Sequence, residues 1–370
     1  MKVLIIPYNY PTKESPNRAV FIKDHKDMLE LLGNDVDVLG VIPKTLSDVI
    51  RNRSFRFGRL SHEKWLISVF AIKGLHKVNR WLFHTVGKYL LKKYLTKHKG
   101  NWPAVIHVHN ATSAELALWC SIKYGIPYVI TEHSSALWNY DAEKDLQGLR
   151  HVYQKSKANI AVSENFALHL KNKFKCDFQF LPNPVDTVFF SCPNPKKYGN
   201  TIKLISVGNL TKNKNHQLAI KSISTLFQQG LNIEYKIVGS GPELILLKKL
   251  VDKLEMQNVV TFEGSKTRRE VKALLCASDR FLLPSIAETF GVVLIEAMAC
   301  GLPVMALKNG GSESIITSAS VGLLVSGQQE FTEKLEVFCT RFYDSKNITS
   351  FANESFSFSA ISKRQLDIYQ

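Results

Sequence analysis

The chain has 370 residues, more than one hydrophobic core usually supports, so two domains of roughly 180 residues are expected. Hydrophobic residues make up 45% and charged residues 22%, a globular composition that excludes a disordered or fibrous chain. The formal charge is +16, and no charge-free apolar run reaches the ~18 residues of a spanning helix, so the chain is not expected to cross a bilayer.

Met1–Pro7 reads as a first buried strand, too short in its apolar part for a secretory signal. Between Lys44 and Lys99 lie fourteen Lys or Arg against two acids, Asp48 and Glu63, so most of the net charge is local. Arg51, Arg53, Arg56 and Arg59 come first, followed by an amphipathic helical pattern over Trp65–Leu95, with apolar residues at 66, 69, 70, 72, 75, 78, 81, 82 and 86. Three readings of this stretch are weighed: a packed helix with a solvated face, a peripheral contact with anionic lipid or a lipid-linked phosphate, and nucleic acid. The last has no recognition motif beside the charge and is set aside, so no nucleic-acid partner is expected.

Apolar runs then alternate with amphipathic stretches almost to the end. Strands are expected at 3–6, 36–41, 105–108, 128–131, 159–162 and 178–181, then at 203–207, 235–238, 259–262, 280–283, 303–306 and 323–325. Helices are expected between them at 19–32, 113–124, 164–174, 217–229, 243–254, 269–276 and 291–299. Repeated β-α-β alternation means parallel sheets covered on both faces. The fold class is therefore α/β, with two doubly wound Rossmann-like domains facing across a cleft. The first is expected over 1–190, a Pro/Asn-rich linker over 191–200 and the second domain over 201–355, with 356–370 as the tail. Six cysteines, at 120, 176, 192, 276, 300 and 339, show no C-x-x-C pair and read as reduced thiols in a cytoplasmic protein.

Ligands of doubly wound sheets sit beyond the carboxyl ends of the strands. The sharpest cluster at such a place runs from Pro284 to Val304 and contains a helix opening near Phe290. Free N–H groups at a helix start attract phosphate, and Gly291 lets the backbone come close. Glu288 and Glu296 are eight residues apart, so with Glu296 two turns on they would share one helical face. Carboxylates accept strong hydrogen bonds from sugar hydroxyls. The plain alternative makes Glu288 a capping acid and Glu296 a solvated helical residue.

At this point the sequence resembles the retaining glycosyltransferases of family 4, which share the GT-B fold. The family's E-x7-E stretch is similar to Glu288–Glu296, and its following A-x-x-x-G-x-P-V run to Ala297–Val304. Val207-Gly208-Asn209-Leu210 through Lys214 resembles its phosphate-binding G-R-L-x-x-x-K, Val238–Pro242 its V-G-x-G-P turn, and Gly310–Glu313 its G-G-x-x-E. Ile106–His109, Thr131–Ser135 and Asn183–Asp186 also match in order, and the tail Phe358–Tyr369 is similar to the family's closing helix, which implies a C-terminal helix over 356–370 crossing back to the first domain.

The resemblance implies that Glu288 holds donor-sugar hydroxyls, Glu296 the ribose, and the amides of Phe290, Gly291 and Val292 the diphosphate, with Lys214 neutralising it above Gly208 and Asn209. It places His133 at the reacting end, with Glu288 as the second catalytic residue, and Lys266 where nucleobase contacts begin. His107 and His109 are read as cleft or core residues. Two departures stand out: Asn209 where the family has Arg, and Ala19 where its first loop has Gly. The expected partners are a nucleotide-sugar donor (UDP-sugar favoured over GDP-sugar) and a glycan or lipid-linked acceptor. Arg51, Arg53, Arg56, Arg59 and Trp65 are the residues for acceptor or anionic membrane at the inner face of the plasma membrane. No cofactor and no metal is expected, since no Asp-x-Asp follows a strand. A nucleotide-sugar epimerase or phosphorylase of the same fold, or a non-catalytic glycan- or lipid-binding partner, are the alternatives.

Overall fold

The computed structural model describes residues 1–12, 18–44, 65–72, 74–139, 143–192 and 199–370. Arg51, Arg53, Arg56 and Arg59 lie outside the described residues. The chain divides into two compact units, one of residues 1–162, 167–181 and 362–370, the other of residues 163–166 and 182–361. The stretch 182–192 therefore packs with the second unit, ahead of the linker expected at 191–200, of which 193–198 lie outside the described residues.

The first unit is built on seven parallel strands in the order β3-β2-β1-β4-β5-β6-β7. They are β1 (Lys2–Pro7), β2 (Asp35–Lys44), β3 (Trp65–Phe70), β4 (Val105–His109), β5 (Tyr128–Glu132), β6 (Ala158–Ala161) and β7 (Gln179–Phe180). Helices α1 (Val20–Leu31), α2 (His76–Lys97), α3 (Ala114–Tyr124), α4 (Glu143–Lys155) and α5 (Glu164–Phe174) connect them. Strands β1 and β4 are buried almost without interruption, because a sheet covered on both faces has no solvated side.

The second unit repeats the plan with six parallel strands in the order β10-β9-β8-β11-β12-β13. These are β8 (Ile202–Val207), β9 (Ile233–Val238), β10 (Val260–Gly264), β11 (Arg280–Leu283), β12 (Val304–Leu307) and β13 (Gly322–Val325). They alternate with α6 (His216–Gln228), α7 (Leu244–Lys253), α8 (Arg268–Cys276), α9 (Val292–Ala299), α10 (Gln328–Thr340) and α11 (Ser345–Phe356). The final helix, α12 (Phe358–Tyr369), ends in residues that belong to the first unit. There Tyr369, buried, meets His107 Nδ1 through its hydroxyl at 2.6 Å, and Lys157 donates to the Tyr369 carbonyl at 2.9 Å.

Three expectations are corrected. The single helix over 65–95 is a strand followed by a helix: Trp65–Phe70 pairs in register with Leu39–Lys44, and α2 starts only at His76. The apolar positions 66, 69 and 70 mimic a helical stripe, but Ile67 and Val69 are β-branched and the run fills a sheet edge instead. Of the remaining stripe, Ile72, Leu75, Val78 and Trp81 are exposed, while the buried side of α2 is formed by Leu90, Leu91, Tyr94 and Leu95. Finally, the cysteines are not all reduced: Cys192 and Cys276 form a disulfide, and Cys120, Cys176, Cys300 and Cys339 remain thiols. A spacing rule misses this pair because the two residues are 84 apart and meet only through the fold.

Candidate active site

Each sheet reverses its winding between two neighbouring strands, β1 and β4 in the first unit and β8 and β11 in the second. The loops that leave such a pair diverge to opposite faces and open a crevice at the carboxyl ends. The sequence-derived residues fall at both places.

In the second unit, the turn after β8 carries Gly208 and exposed Asn209, and the short 3-10 turn Lys212–Lys214 follows. Gly239, at φ 143°, approaches so closely that a Cβ there would sit 1.9 Å from the Gly208 carbonyl oxygen. Only glycine allows that approach, and it fixes the turn after β8 against the turn after β9. Asn213 then ties this turn to the loop leaving β11. Its carbonyl accepts from Ile286 N at 2.8 Å, its side-chain oxygen from Ala287 N at 3.1 Å, and its amide donates to the Ala287 carbonyl at 2.8 Å. The result is that Lys214 Nζ meets Glu288 Oε1 at 2.5 Å, with side chains 22% and 14% exposed. The lysine stem lies over Gly208, where an added Cβ would touch it at 3.4 Å.

The Glu288 backbone is held from the other side, its N–H donating to the Asn309 carbonyl at 3.0 Å. Asn309 in turn accepts from Gly311 N and Ser312 N, and the Glu313 carboxylate accepts from Asn309 N and Gly310 N. Residues 284–291 form a non-helical loop with bends at 286 and 289, so α9 opens at Gly291 (φ 113°) and Glu296 stands one turn into the helix, not two turns from Glu288 on a shared helical face. Phe290 is buried, with Gly311 packed so closely on its backbone that a Cβ there would lie 2.5 Å from Phe290 N, while Gly291 and Val292 at the start of α9 are half-buried. Lys266 pairs with Glu263 at 3.3 Å just past β10. Lys214, Glu288, Gly208 and the start of α9 are thus brought together, and Asn213 and Asn309 are the organising residues that motif spacing does not reveal. Both are asparagines in loops, unremarkable until their partners are known.

In the first unit, His133 follows β5 and His109 ends β4. His109 Nδ1 and His133 Nε2 are 2.9 Å apart and the two rings stack. Asn110 adopts positive φ (74°), and its side-chain oxygen accepts from His133 N at 2.8 Å. His107 shares a 2.7 Å hydrogen bond with the Thr131 hydroxyl. Burial holds His107, His109 and His133 well below the usual imidazole range, with neighbouring His25 adding to the effect, so all three are neutral. Beside them, Glu132 accepts from Ala111 N at 2.6 Å and from the Tyr153 hydroxyl at 2.8 Å. Burial outweighs those bonds and pushes its carboxyl up to about 7. Glu132 falls in the matched stretch Thr131–Ser135 but gained no role from the sequence, since a carboxylate at a strand end carries no mark of its burial. Ala19, in place of a family glycine, takes the left-handed conformation (φ 53°) at the start of α1, a geometry glycine adopts with less strain. Trp65 is engaged in packing, edge-on to Tyr94 and beneath Lys97 Nζ at 5.4 Å.

A cavity of about 600 Å³ opens past the ends of β1, β4 and β5. Tyr8, Val41, Phe83 and Leu149 give it apolar walls, and Glu132 and the Arg80–Glu115 ion pair give it polar ones.

Residues 20–189 match the family model described as Glycosyltransferase Family 4, and residues 192–341 the one described as Glycosyl transferases group 1. The chain belongs to the glycosyltransferases with this two-domain GT-B fold. It is 36% identical over 147 residues to a putative colanic acid biosynthesis glycosyltransferase WcaL of Salmonella typhimurium, a match covering 38% of this chain and 36% of that one. It is 31% identical over 246 residues to a D-inositol 3-phosphate glycosyltransferase of Pseudarthrobacter chlorophenolicus, covering 60% and 59%. The chain thus spans between 36% and 59% of the length of these two relatives. Among solved structures it resembles sucrose-phosphate synthase from Thermosynechococcus elongatus (TM-score 0.78, 17% identity, covering 100% of this chain and 98% of that one). It also resembles Anabaena HepE in complex with UDP (TM-score 0.72, 16% identity, covering 99% of both chains). At those identities the likeness concerns the fold.

Proposed function

We propose that the protein moves a sugar from a nucleoside-diphosphate donor, a UDP-sugar before a GDP-sugar, to a hydroxyl of a glycan or lipid-linked acceptor, with retention of the anomeric configuration, in cell-surface polysaccharide or glycolipid synthesis. The observation that carries the reading is the Lys214–Glu288 pair on the glycine floor of the second unit's crevice. A cation and a carboxylate side by side suit a ligand with a diphosphate next to sugar hydroxyls. Donor binding replaces Glu288 by phosphate as the partner of Lys214 and frees the carboxylate for the hydroxyls. The opening of α9 adds amides to the phosphate side and Glu296 takes the ribose. Preorganised charge of this kind stabilises the departing diphosphate without a metal. Retention follows from attack on the face the phosphate leaves, with a phosphate oxygen taking the acceptor proton.

On the acceptor side, the first unit's cavity supports a molecule with an apolar portion beside hydroxyls. A contact with anionic membrane has its own support. Ile72 and Leu75 just before α2, and Val78 and Trp81 in its first turns, are exposed at intervals of three, next in sequence to the basic stretch.

Calorimetry with UDP and with uridine tests the donor site. Lys214→Ala should weaken UDP at least about tenfold and leave uridine unchanged, because only the diphosphate meets the cation. Equal binding of both ligands by wild type and variant would remove Lys214 from the site.

A further inference from the structure

Cys192, Cys276 and Cys300 reach one point of the second unit from three stretches of chain. Cys192 closes the described stretch 143–192, Cys276 is the last residue of α8, and Cys300 caps the carboxyl end of α9. Their sulfurs all lie within 4.8 Å of one another. The first two are joined as a disulfide with Cα atoms 5.7 Å apart, while the buried Cys300 thiol donates to the Phe190 carbonyl at 2.8 Å. A disulfide uses two of the three sulfurs. Three converging thiolates, by contrast, are the donor set of a thiophilic cation. Zinc takes each thiolate at about 2.3 Å and so spaces the sulfurs about 3.8 Å apart, within the observed span once the S–S bond is open.

We propose that in the reduced protein Cys192, Cys276 and Cys300 bind a structural zinc ion. A dithiol reduces the Cys192–Cys276 bond, becoming a cyclic disulfide as the two sulfurs take up its two electrons and two protons. Zinc then displaces the three thiol protons to solvent and forms three zinc–sulfur bonds, with water in the fourth position. Disulfide and zinc exclude one another, because a sulfur in an S–S bond is no longer a thiolate. The bound ion clamps the far ends of α8 and α9, the second of which opens at Gly291 and carries Glu296.

The test uses the full chain, reduced with a dithiol, desalted without oxygen and titrated with zinc chloride, then separately with cobalt(II) as a spectroscopic probe. One equivalent of zinc should bind to the reduced chain and none at this place to the oxidised chain, and Cys300→Ser should lose that equivalent. Bound cobalt should show thiolate-to-metal charge-transfer absorption. If Cys300→Ser does not fold, Cys192→Ser, at a partly exposed position, should lose the same equivalent. A reduced chain that takes up no zinc overturns the proposal. So does zinc that persists in these variants, or cobalt without thiolate bands, as it would appear on the buried cluster of His25, His109 and His133.

Discussion

Glu288 and Lys214 show how much a residue's meaning depends on its partner. Alone, a glutamate before a helix is a capping acid, and a lysine in a turn is a solvated charge. Held 2.5 Å apart by Asn213 on one side and Asn309 on the other, they become a charge pair that a diphosphate can enter. The pair also separates binding from turnover. Glu288→Gln removes the carboxylate that competes for Lys214, so UDP should bind as tightly as to wild type or more tightly. Turnover should nevertheless fall about 10²-fold or more, because the sugar loses its positioning. A parallel loss of UDP affinity and rate would show that Glu288 acts through the fold of the loop instead. Glu288 and Glu296 were singled out by the motifs around them, since their spacing alone favoured a capping acid and a solvated residue, whereas Asn213 and Asn309 were not singled out, since what they do is hold backbone groups that only the folded loops bring near.

At the scale of elements, most strands and helices announced themselves, because a strand buried on both faces is an unbroken apolar run and its covering helix is amphipathic. The failure came where the two patterns coincide. Trp65–Phe70 is apolar enough for a strand, yet its spacing also continues the stripe of the helix that follows. Splitting it changes the reading of α2, whose first turns point Val78 and Trp81 outward while its second half packs on the sheet. The outward side chains, with the basic stretch before them, lead to a measurable expectation. Wild-type protein should co-sediment with anionic vesicles and not with neutral ones, less so at high salt, and Trp81→Ser with Val78→Ser should weaken binding several-fold. A wild type that ignores anionic vesicles would leave this face as ordinary exposed surface.

For the molecule as a whole, the two winding reversals and the return of α12 to the first unit set where chemistry gathers, and the motif order along the chain was enough to anticipate them. What stayed hidden was the burial of charge. His107, His109 and His133 are neutral when folded but take up protons near pH 6.5 when unfolded, so the stability they contribute is present above that pH and lost as pH falls. Glu132 acts oppositely: with its carboxyl at about 7 in the fold, its contribution is full below the unfolded value near 4.5 and lost as pH rises through 7. Three imidazoles outweigh one carboxyl, so denaturant melts should show stability falling by about 3 kcal/mol between pH 7 and pH 5. Glu132→Gln should steepen that fall, and a flat profile in both proteins would contradict the buried neutral cluster.

The most direct measurement is nucleotide release from a panel of UDP-, GDP- and ADP-sugars, with and without glycan and lipid-linked acceptors. The account predicts that UDP appears from a UDP-sugar only when an acceptor is present, that the product keeps the donor's anomeric configuration, and that Glu288→Gln lowers the release about 10²-fold or more. Interconversion of the donor sugar without acceptor would make the protein an epimerase, and no binding or consumption of any nucleotide sugar would leave a protein that keeps the fold without the transfer; either result would contradict the account.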